Sequence, residues 1–125
     1  IVTLATSTRL QIPTGERLRM YQNGQFFELP SGKRLRTSFF CDVQQYDIGK
    51  TIGKIDCPVL IIHGSADETV PVKDAHDLYK SAKEPKRLVI IEGGNHAFSD
   101  SEHLEQVVRL ALNWFKQYLT SSFSL

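Results

Sequence analysis

The 125-residue sequence is short of several features that would assign it to an easily recognised class. No five consecutive residues carry charge of one sign, and fifteen Lys+Arg against fourteen Asp+Glu leave a net +1. That balance argues against a nucleic-acid-binding arm, an acidic tail or steering by bulk charge. No stretch approaches the roughly 20 apolar residues of a membrane-spanning helix, since the run from Val59 to Ile62 stops at His63. There are only two cysteines, Cys41 and Cys57, in neither a disulfide framework nor a metal-ligand spacing, which favours a reducing, cytoplasmic setting. The sequence opens at Ile1 rather than Met, so the missing leader says nothing about targeting. The four histidines include no i, i+4 pair and no cluster with Cys or carboxylate, so no metal site is expected. No G-x-G-x-x-G or P-loop follows a candidate strand, which removes support for a nucleotide-binding domain and leaves no cofactor implied.

What is present is the patterning of one α/β domain. Ile1 to Ala5 is β-branched and apolar without alternation, as in a parallel strand buried on both faces, and is expected at the centre of a sheet. Residues 8–50 form a cap-like insertion. Within it Glu16 to Gln22 is expected to be helical, ending at Asn23-Gly24, and Gln25 to Leu29 and Arg34 to Phe39 are expected as a hairpin around Pro30-Ser31-Gly32-Lys33. The stretch 41–56 reads as irregular, with room for a short helix, and leads back to the sheet. Val59 to Ile62 and Leu88 to Ile91 are short apolar runs of buried strands, the first ended by His63-Gly64 and the second by Glu92-Gly93-Gly94. Between them Val72, Ala75, Leu78, Tyr79 and Ala82 mark one helical face, with Pro71 at its start and Pro85 beyond its end. Leu104, Val107, Val108, Ala111, Leu112, Phe115, Tyr118 and Leu119 predict a final helix, with Trp114 and Phe115 in the core and Ser99 to Glu102 as a capping box. The predicted order is strand, insertion, strand, helix, strand, helix, divided as 1–7, 8–50 and 51–125.

In a parallel sheet, functional groups collect on loops at the carboxyl ends of strands. The loop from His63 to Pro71 offers Asp67, and the loop from Gly93 to Phe98 offers His96. On neighbouring strands they would form an acid–base pair, Asp67 taking the Nδ1 proton of His96 and leaving Nε2 as a general base. Singly, each residue also fits a turn or a cap. Glu68 is the alternative acid. Ser65, two residues before Asp67, reads as structural, and Ser7, Ser31 and Ser99 read as loop or cap hydroxyls. Cys41 and Cys57 are expected as small buried residues. His63 is expected to be bonded locally, His76 and His103 to face outward from helices. Phe26, Phe27, Phe39 and Phe40 in the insertion fit either an acyl pocket or ordinary packing.

At these residues the sequence resembles the C-terminal half of the α/β-hydrolase family, in particular its small esterase/lipase and peptidase-like members. Cys57 to Pro71 resembles the family's penultimate strand and acid loop, with Asp67 at the catalytic acid, and Glu92 to Phe98 resembles the last strand and histidine loop, with His96 at the base. The resemblance covers residues 55–119. It implies that Ile1 to Ala5 follows the nucleophile helix and that 8–50 is the variable cap. The departure is equally plain: no G-x-S-x-G elbow occurs, so nucleophile and oxyanion hole are expected outside the chain. The implied activity is cofactor-free acyl transfer from a carboxylic ester or related small acyl substrate. The alternative is a non-catalytic binding or interaction module of the same fold. The partner expected at the exposed sheet edge is the missing N-terminal half or another copy of the chain.

Overall fold

The structure is a computed structural model that describes residues 1–9, 26–28, 32–43 and 45–119. The helix expected at Glu16 to Gln22 lies outside them. The elements are β1 (Val2–Leu4), β2 (Phe27–Glu28), β3 (Arg34–Leu35), α1 (Thr37–Val43), α2 (Ile48–Ile52), β4 (Val59–Gly64), α3 (Val72–Ser81), β5 (Lys86–Ile91) and α4 (Ser101–Leu119). Two compact units result, one made of 1–8 with 48–125 and the other of 9–47.

In the larger unit β1, β4 and β5 form a parallel sheet in that order, with Val2 opposite Leu60 and Ile61 opposite Leu88. β4 is wholly buried because both of its faces are covered. Val59 and Ile61 join Ile52, Ala75, Leu78 and Ala82 beneath α2 and α3. Leu60 and Ile62 face the other way and join Ile91, Phe98, Val107 and Trp114 beneath α4. This two-sided burial explains a continuous apolar run where an alternating one would mark a sheet with a wet face. Burying a side chain of this size stabilises the fold by about 1.5–3 kcal/mol relative to leaving it in water.

Several expectations are corrected. Ile1 and Leu4 are half-exposed, where a strand buried on both faces was expected; within the described sheet β1 has a neighbour on one side only, in line with the expected open edge. The hairpin forms, Phe27 opposite Leu35, but its second strand ends at Leu35 and the chain turns into α1, where a strand to Phe39 was expected. Cys41 and Cys57 are exposed rather than buried; Cys41 lies on α1 and Cys57 in the connection entering β4, where the chain runs over the surface. The apolar residues of α4 divide into two stripes. Val107, Leu110, Trp114 and Tyr118 pack on the sheet, whereas Leu104, Val108, Leu112, Phe115 and Leu119 are exposed. Turning 100° per residue, the helix can direct only one stripe at the sheet, so Trp114 is core and Phe115 is not. The cap of α4 is Asp100 rather than Ser99, since the Asp100 carboxylate accepts the backbone N–H groups of Glu102 and His103.

Candidate active site

Both site loops leave the same end of adjacent parallel strands, and the backbone holds them together beyond the sheet proper. Ser65 N–H donates to Ile91 O at 2.9 Å, Ala66 N–H to Gly94 O at 3.0 Å, and Gly93 N–H to the Ser65 hydroxyl oxygen at 2.8 Å. Ser65 is thus structural, as its position predicts. The approach is so close that a Cβ on Gly64 would lie 2.0 Å from Gly94 O, which only glycine permits. The second loop is anchored by Phe98, whose ring enters the core beneath α4 although its φ is +48°, an uncommon conformation for a bulky residue.

These crossings bring Asp67 and His96 into contact. His96 Nδ1 lies 2.9 Å from Asp67 Oδ2. The other carboxylate oxygen, Oδ1, accepts N–H bonds from Thr69 and Val70, each at 2.8 Å, so the loop folds round its own acid. The Asp67 side chain is fully buried, while that of His96 is 44% exposed. Burial works to raise the pKa of Asp67, but the N–H bonds from Val70, His96 and Thr69 and the charge of His96 outweigh it and hold the carboxyl below its usual value. An ionised Asp67 accepts the Nδ1 proton of His96 and leaves Nε2 with a lone pair facing solvent. Chemically, such an arrangement can act as a general base.

His96 opens onto a shallow depression lined with Ala66, Glu68, Thr69, Asn95 and Ala97. Glu68 is exposed beside the pair, and the contact with His96 is made by Asp67. Asn95 steadies the histidine loop by accepting the Ser99 N–H at 3.0 Å. Its role is local and has no periodic signature in the sequence. His63 is buried and bonded to Val70 O, as expected, but its approach to Asp67, at 3.3 Å, was not foreseen. A polar residue closing an apolar strand was the available signal. His76 is exposed and His103 half-buried on its helix. Phe26 and Phe39 of the insertion are half-exposed, and the side chains of Phe27 and Phe40 lie outside the described set. Among the described residues no group of three metal-ligating side chains occurs, and no helix is long and apolar enough to cross a membrane.

Solved structures of α/β hydrolases superpose on this parallel sheet and its covering helices, so the fold is that of part of an α/β hydrolase. The esterase domain of a Rhodothermus marinus protein matches 94% of the chain at TM-score 0.68 and 16% identity. Est1E of Butyrivibrio proteoclasticus, in a structure with ferulic acid bound, matches 72% at TM-score 0.61 and 27% identity. The chain belongs to the prolyl oligopeptidase family, whose sequence profile matches residues 12–122. It is also 46% identical over 61 residues to YfhR of Escherichia coli K12, an uncharacterized protein. That match spans 45% of this chain and 22% of YfhR, and the superpositions span 50% of the Rhodothermus domain and 36% of Est1E.

Proposed function

We propose that this chain supplies the acid and base of a serine hydrolase that acts by acyl transfer on a carboxylic ester or related acyl compound. The nucleophile and oxyanion hole belong to a polypeptide segment outside the 125 residues, because no G-x-S-x-G occurs within them. The observation that carries the reading is the 2.9 Å contact between His96 Nδ1 and a buried Asp67 carboxylate, with the far side of the ring open to the depression.

In this mechanism His96 Nε2 takes the proton of the serine hydroxyl as its oxygen attacks the acyl carbon. Asp67 stays ionised, fixes the tautomer and stabilises the imidazolium that forms. The tetrahedral intermediate collapses, the C–O bond to the leaving group breaks, and the proton on Nε2 passes to the departing alcohol. Water then repeats the sequence on the acyl-enzyme, losing its proton to Nε2 and releasing a carboxylic acid. Est1E, 27% identical, holds a molecule of that product class in ferulic acid, which supports the acyl assignment.

The test is p-nitrophenyl ester hydrolysis by the 125-residue chain and by a longer product of the same gene carrying the serine. The expected result is turnover only in the longer protein, abolished by His96→Ala. Turnover that survives His96→Ala overturns the role of the pair, and His96-dependent turnover by the 125-residue chain overturns the external nucleophile. A longer protein without the serine, and without turnover, favours the binding module.

A further inference from the structure

We infer that His63 is a positioning residue for the Asp67–His96 pair, acting from beneath the acid on the same carboxylate oxygen that His96 engages. The inference rests on the hydrolase reading only for its kinetic consequence; the contacts stand apart from it.

His63 is a polar residue set in the core, with no exposure at all. It sits on β4 between Ile62 and Gly64, and burial of an imidazole is unfavourable unless its nitrogens are bonded. Its Nε2 lies 2.9 Å from Val70 O and 3.3 Å from Asp67 Oδ2. A backbone carbonyl and an ionised carboxylate can only accept, so the proton must be on Nε2, donated mainly to Val70 O and leaning toward Asp67. His63 Nδ1 is buried with no partner, and a proton there would be an unsatisfied donor. Both contacts and the orphan atom assign the same tautomer.

The consequence is a clamp. Val70 is held at both ends, its N–H donating to Asp67 Oδ1 at 2.8 Å and its carbonyl accepting from His63. With Oδ1 fixed by two N–H groups, Oδ2 points between two rings, His96 at 2.9 Å on the open side and His63 at 3.3 Å on the buried side. His63 Nε2 is turned inward, toward Val70 and Asp67, and makes no approach to a reacting atom. Its work is to stop the acid loop and the carboxylate from turning away from His96, and loss of about 1 Å in such placement lowers turnover by up to about a hundredfold.

Long-range ¹H–¹⁵N correlation spectra of the imidazoles in the 125-residue chain test the contacts. The expected wild-type spectrum has His63 protonated on Nε2 and His96 protonated on Nδ1, the latter proton strongly downfield. His63→Phe keeps the ring's bulk but removes the donor, and is expected to shift or broaden the His96 Nδ1 proton; His63→Gln, which restores an N–H at similar reach, is expected to recover it. A proton on His63 Nδ1, or a His96 signal unchanged in His63→Phe, overturns the inference. In the longer, active protein His63→Phe is expected to lower kcat about 10–100-fold with KM little changed, and His63→Gln to recover most of it. A rise in KM alone, or equal losses in both variants, also overturns it. Failure of the hydrolase reading looks different: the spectra respond as expected, but turnover does not depend on His96.

Discussion

Replacing Gly64 by alanine is the most economical way to separate the two site loops without touching a functional side chain. The added Cβ would lie 2.0 Å from Gly94 O and 2.5 Å from Gly94 C, both rigid backbone, so relief requires the loops to part by about 1 Å. Overpacking of this kind costs up to about 3 kcal/mol and occasionally more, which for a chain of this length lowers Tm by roughly 10–15 °C. The bond lost with it is one that joins the two loops, Ala66 N–H to Gly94 O at 3.0 Å. Gly94→Ala is the control, because there the nearest atoms lie at 3.2 Å and a small adjustment suffices, for about 1 kcal/mol. Thermal unfolding followed by circular dichroism, with the His96 Nδ1 proton observed by NMR, reads both effects. Gly64→Ala should lose several-fold more stability than Gly94→Ala and lose the downfield proton. Equal, small effects of the two substitutions would refute the close-approach argument.

Three further outcomes are expected. Asp100→Ala should cost about 1 kcal/mol and Ser99→Ala less, because Asp100 accepts the first N–H groups of α4; denaturant titration separates them. The folded-state pKa of Asp67 is lowered, so its contribution to stability is complete above the ordinary carboxylate value of about 3.9 and is lost as pH falls through the lower folded value; the stability gap between wild type and Asp67→Asn should therefore narrow on acidification below about pH 4, and a constant gap would count against the lowered pKa. The one-sided β1 edge and the exposed Leu104, Val108, Leu112, Phe115 and Leu119 should make the 125-residue chain associate with further copies of itself at micromolar concentration, and light scattering that shows a stable monomer would contradict this.

What the sequence disclosed followed how strongly local pattern and tertiary role agreed. β4 and β5 were legible as short continuous apolar runs, and α3 because its apolar positions repeat with the helical period between Pro71 and Pro85. Asp67 and His96 were legible as a candidate pair because each lies on the loop that directly follows a buried strand, and the resemblance named their positions. The two stripes of α4 were not separable, since periodicity marks apolar positions but not which of them meets the sheet. Asp100 displaced Ser99 as cap by one residue, a shift that pattern alone does not resolve. The strand expected to run through Thr37 to Phe39 failed because β-type residues there follow the hairpin too briefly, and the chain turned helical. The contact of His63 with Asp67 depends on how the loop after β4 folds back on its own strand, and that is a tertiary fact.

The most direct test of the proposed chemistry is the turnover of Asp67→Asn in the longer, serine-bearing protein, measured with p-nitrophenyl esters alongside a thermal unfolding check. Asparagine keeps the size of the side chain but presents no charge to His96 and no longer fixes its Nδ1 proton. If Asp67 is the acid, kcat falls by roughly 10⁴ while the fold stays intact, as in serine-protease triads. Near-wild-type turnover in a folded Asp67→Asn protein would contradict the assignment and turn attention to Glu68.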